Sequence, residues 1–99
     1  MSIQYTPKNK DQASTLALLE DALKKLSYAL KTSISITDEK YGILIRPTQL
    51  IYYKLLNGEL IPIPAKMLDQ EIRMDLLMDL GRELLNVART HNTATSYTN

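Results

Sequence analysis

The sequence predicts one α+β domain: an amphipathic helix, a three- to four-stranded antiparallel sheet with an Asn57-Gly58 hairpin, and a long C-terminal helix. Three observations carry this. Leucines recur at helical spacing over residues 11–32, an apolar helical pattern fills 65–89, and short β-branched runs broken by turn residues lie between them. A chain of 99 residues has room for one core. Residues 11–89 are therefore expected to form a single domain, between a flexible segment at 1–10 and a disordered polar tail at 90–99.

In the first helix Leu16, Leu19, Leu23, Leu26 and Leu30 form one seam. Asn9 or Asp11 suits its start, Glu20-Lys24 and Asp21-Lys25 are i,i+4 pairs, and Lys31 suits its carboxyl end. Residues 33–37 alternate with period two and put Ile34 and Ile36 on one face of a strand. Residues 38–42 read as a turn, and 43–46 as a second strand ending before Pro47.

Residues 49–56 and 59–63 flank Asn57-Gly58, whose residues tolerate the positive φ of a type I′ turn, so the pair reads as a hairpin. A short helix over 48–56, capped by Thr48, is the competing reading. A two-residue turn pairs Leu56 with Glu59, Leu55 with Leu60, Lys54 with Ile61, Tyr53 with Pro62 and Tyr52 with Ile63. One face then carries Ile51, Tyr53, Leu55 and Leu60, the expected core face. The other carries Tyr52, Lys54, Leu56, Glu59, Ile61 and Ile63, too apolar for water alone. Pro62 cannot donate to a ladder, which makes the last strand an edge or its end.

Pro64 is placed to open the second helix. Leu76, Leu80, Leu84 and Val87 form one stripe, and Met74, Leu77, Leu85 and Ala88 an adjoining one, wider together than a single core contact needs. Gly81 lies between the stripes and would permit a close backbone approach. The expectation is a homodimer or protein partner contacting Tyr52, Leu56, Ile61, Ile63, Met74, Leu77, Gly81 and Leu85.

Composition narrows the function classes. No cysteine is present, which removes disulfides, thiolate metal sites and cysteine nucleophiles. The three glycines are too scattered for a phosphate-binding loop, no G-x-S-x-G elbow occurs, and the one histidine, His91, has no orienting carboxylate nearby in sequence. No catalytic, cofactor or metal residues are therefore expected. Glu71, Asp75, Asp79 and Glu83 recur every fourth residue as an acidic ridge, read first as a solvated face and second as a surface for a basic partner. With a net charge of +1, nothing global favours nucleic acid. The alternative of nucleic-acid binding rests on Lys24, Lys25, Lys31 and Arg46 beside the sheet tyrosines. With no apolar run long enough for a membrane span and no signal-peptide pattern at residues 1–7, a cytoplasmic, non-enzymatic binding or assembly module is the expectation.

Overall fold

The computed structural model describes the backbone of residues 7–98 and the side chains of residues 13–90. The elements are α1 (Pro7–Leu30), β1 (Ile34–Thr37), β2 (Tyr41–Arg46), β3 (Gln49–Leu56), β4 (Glu59–Ile63), a 3₁₀ turn (Ala65–Met67) and α2 (Gln70–Thr98). The strands form an antiparallel meander in the order β1-β2-β3-β4, so the fold is α+β and residues 49–56 are a strand, not a helix. α2 lies against β1 and β2, and α1 lies against β2, β3 and α2. Neither helix packs extensively on β4.

Register follows from turn chemistry. The β3–β4 pairs are the five read from the sequence, with Asn57 and Gly58 at φ of 52° and 82°. Between β1 and β2, Asp38 Oδ1 accepts from the backbone N–H groups of Lys40 and Tyr41 at 2.7 and 2.8 Å, an Asx turn that lets β2 begin at Tyr41. Gly42 thus belongs to the strand. A Cβ there would stand 2.9 Å from Thr37 Cγ2 and 3.2 Å from the Ile36 carbonyl oxygen, closer than a side chain tolerates.

The sheet faces its helices the other way round from the sequence expectation. Ile43 and Ile45 are fully buried, and their partners across the ladder are Tyr52 and Leu50, with Ile36 and Ile34 on the other side. Because side chains alternate along a strand, that pairing sends Tyr52 and Ile63 toward the helices and Ile51, Tyr53, Leu55 and Leu60 to the outer face. Parity is imposed by β2, not by the hairpin. The core is completed by Leu16 and Leu23 from α1, and by Leu68, Leu76, Leu77, Leu80 and Leu84.

Helix ends also differ from expectation. Within the described residues α1 already runs from Pro7, ahead of the expected start at Asp11, and α2 continues to Thr98 across the segment read as a polar tail. Residues 1–6 lie outside the described part. Pro64 opens the 3₁₀ turn rather than α2. The chain becomes extended at Leu68, which is buried, and Asp69 then caps α2 by accepting from the Glu71 N–H at 2.9 Å.

At the carboxyl end of α1, Lys31 takes a φ of 52°. The Thr32 N–H donates to the Ser27 carbonyl at 3.1 Å and the Lys31 N–H to the Tyr28 carbonyl at 3.2 Å, a Schellman closure. Glycine is the usual residue at that position because it carries no Cβ penalty. Lys31→Gly is expected to raise the unfolding free energy by about 0.5–1 kcal/mol, read as a higher urea midpoint with an unchanged slope.

Candidate functional site

One polar cluster is built into the core. The Tyr52 hydroxyl donates to Glu20 Oε2, and the Arg73 guanidinium donates to the same oxygen at 2.9 Å, so one carboxylate joins β3, α1 and α2. The Arg73 guanidinium also stands 5.7 Å from the centre of the Tyr52 ring, within cation–π reach. Glu20 and Arg73 are mostly buried, with 21% and 15% of their side chains exposed. Burial, and then the bond to Glu20, push the Tyr52 hydroxyl well above the ordinary tyrosine range, which keeps it a donor. Burial works against the Arg73 charge, but its bonds to Glu20 and Tyr52 outweigh that and hold the group protonated. The Arg73 Nε is buried with no acceptor. Chemically, this is a neutralised brace: its charges are spent on each other.

Among the described residues the large apolar side chains left exposed are Leu18 and Tyr28 on α1, Met67 on the 3₁₀ turn, Met78 and Leu85 on α2, and a contiguous group on the β3–β4 hairpin. Leu56 is 49% exposed, and Leu60 and Ile61 are each 42% exposed, although they belong to both faces of the sheet. Leu56 and Ile61 lie on the helix side of the sheet by register, yet neither helix packs extensively on β4. On the outer side, Leu44, Ile51, Tyr53 and Leu55 are half-buried, and Leu60 and Pro62 exposed. The sheet curls toward this outer face: Leu60 Cδ2 lies 3.5 Å from where a Cβ on Gly42 would sit, two strands away.

Residues expected at a partner surface divide into three groups. Tyr52 and Leu77 are spent in the protein's own core. Ile63 and Met74 pack on its margin, and Gly81 faces α1, where a Cβ would make ordinary contact with Leu23 Cδ2 at 3.5 Å. Leu56, Ile61 and Leu85 remain exposed, Leu85 on α2 beside the equally exposed Met78. Leu55 and Leu60, expected in the core, join the uncovered hairpin instead. The missed signal was the run of isoleucines in β1 and β2, whose parity carries across the Pro47-Thr48 turn into β3.

The charged candidates stay dispersed. Glu71, Asp75, Asp79 and Glu83 all lie exposed along α2, and Asp79 accepts from Arg82 at 3.0 Å. Asp75 also borders a cleft of about 560 Å³ lined by Asp38, Glu39, Lys40, Tyr41 and Ile72. Among the described residues, no three His, Asp or Glu side chains are grouped as a metal site would require. Lys25 pairs with Asp21 at 3.0 Å, Lys24 shares a cleft with that same aspartate, and Lys31 and Arg46 sit on other segments. No described helix is long and apolar enough to cross a membrane. Compared with known proteins, the chain matches no family model, no curated protein and no solved structure.

Proposed function

We propose that this protein is a non-enzymatic binding or assembly module that docks a protein partner on the β3–β4 hairpin and the adjoining outer face of the sheet. The observation that carries this reading is the bare apolar hairpin, with Leu56, Leu60 and Ile61 exposed on two faces. Large exposed apolar side chains standing singly are ordinary, whereas a cluster of them marks a surface meant to be covered. The chemistry of the surface favours protein over nucleic acid: among the described strand residues the outer face carries one cation, Arg46, and the hairpin one more, Lys54, while a phosphate backbone needs several.

A photo-crosslinking amino acid in place of Leu60 tests the reading, with Glu83 on α2 as the reference position. In extract of the source cells, covalent adducts at position 60 and none at position 83 are the expected result. Adducts with a second copy and adducts with another protein both support docking. Equal labelling at the two positions, or none at either, removes the proposal.

A further inference from the structure

We infer that the β3–β4 hairpin is a clasp that closes on the same hairpin of a second copy of this chain. This deepens the docking reading above and rests on it. Three features of the hairpin argue for a second copy.

First, Leu55-Leu56 and Leu60-Ile61-Pro62-Ile63 are continuous apolar runs, not alternating ones. Such runs belong to strands covered on both faces, yet neither of the chain's own helices packs extensively on β4, where Leu60 and Ile61 stay exposed. Second, the hairpin is not built to add a strand at its edge. The Leu55 N–H donates at 2.8 Å to the Lys40 carbonyl, toward β2, which fixes the phase of β3. Leu55 and Tyr53 therefore form non-hydrogen-bonded pairs with Leu60 and Pro62, and the Pro62 ring nitrogen points to the free edge, where a donor would be needed. Cover must come over the faces.

Third, the charges are self-complementary. Lys54 and Glu59 share the face of Leu56 and Ile61, and among the described residues neither forms an ion pair within the chain. A two-fold partner sets each Lys54 against the other copy's Glu59, whereas a uniformly charged partner satisfies only one of the two.

Sedimentation velocity on the purified full chain over a concentration series is the test, with circular dichroism to confirm that each variant is folded. The wild type is expected to be a dimer at micromolar concentration. Leu60→Asp and Ile61→Asp, on opposite faces of one strand, should each raise the dissociation constant at least about a hundredfold, while Met78→Asp and Leu85→Asp on α2 leave it unchanged. Lys54→Glu and Glu59→Lys should each weaken self-association about tenfold. Mixing these two variants should restore it, because each then meets the opposite charge.

A dimer that survives both Leu60→Asp and Ile61→Asp overturns the inference, and so does a mixture no tighter than its components. A wild-type monomer that still forms position-60 adducts with another protein overturns the second copy alone. A monomer without such adducts overturns the docking reading as well.

Discussion

Glu20→Ala is expected to lower the unfolding free energy by about 3 kcal/mol, which in a domain of this size is a fall in Tm on the order of 15 °C. The substitution removes the one acceptor shared by Tyr52 and Arg73. It leaves a buried hydroxyl and a mostly buried guanidinium with each other but without their carboxylate acceptor, and each under-satisfied group costs about 1–3 kcal/mol. The loss does not measure the worth of the interaction, since a large part is the penalty of the stranded Arg73 charge. A double-mutant cycle separates the two. Glu20→Leu combined with Arg73→Met should be more stable than either single variant, because no charge then remains buried. Additive losses in urea unfolding would mean that the three side chains do not act as a unit.

Leu77→Ala is expected to cost about 3 kcal/mol, within the 2–5 kcal/mol range of leucine truncations in packed cores. Leu77 is fully buried in the core cluster that also holds Leu76, Leu80, Leu84, Ile43 and Ile45, so its truncation leaves a void among packed apolar side chains. Eight residues on, Leu85 is 54% exposed, and Leu85→Ala should stay within about 0.5 kcal/mol of the wild type. Thermal unfolding of the pair reads the contrast directly. Both leucines lie on the adjoining apolar stripe of the sequence, so their divergence tests where the core ends along the helix.

That stripe illustrates what the sequence made legible. Local chemistry determined the elements: the leucine seam produced α1, and Asn57-Gly58 produced the hairpin with all five of its pairs. Parity was the failure. The hairpin residues are apolar at nearly every position, so alternation within β3 and β4 cannot tell the core face from the outer one. The information lay one turn upstream. Ile43 and Ile45 face the core, Arg46 pairs with Gln49 across the Pro47-Thr48 turn, and counting on from there places Leu50 and Tyr52 inside. A tyrosine also looks wrong for a core until Glu20, 32 residues earlier, supplies its acceptor, and no local pattern announces that contact. The exposed hairpin was legible only as an excess of apolar residues. Its exposure depends on which strands the helices pack against, which is a property of tertiary packing.

The missing donor at Pro62 also bears on growth. A sheet edge with all of its N–H groups free is a template onto which further chains add without limit, and every added strand offers the same template again. On β4 that succession is interrupted at the second residue from the end of the strand. Chains that meet through their faces under a two-fold axis use up the contact surface in the meeting, so the product has a fixed size. In the inferred two-fold dimer, Pro62→Val restores the donor and is expected to let chains lengthen into ribbons, read as light scattering that keeps rising with concentration.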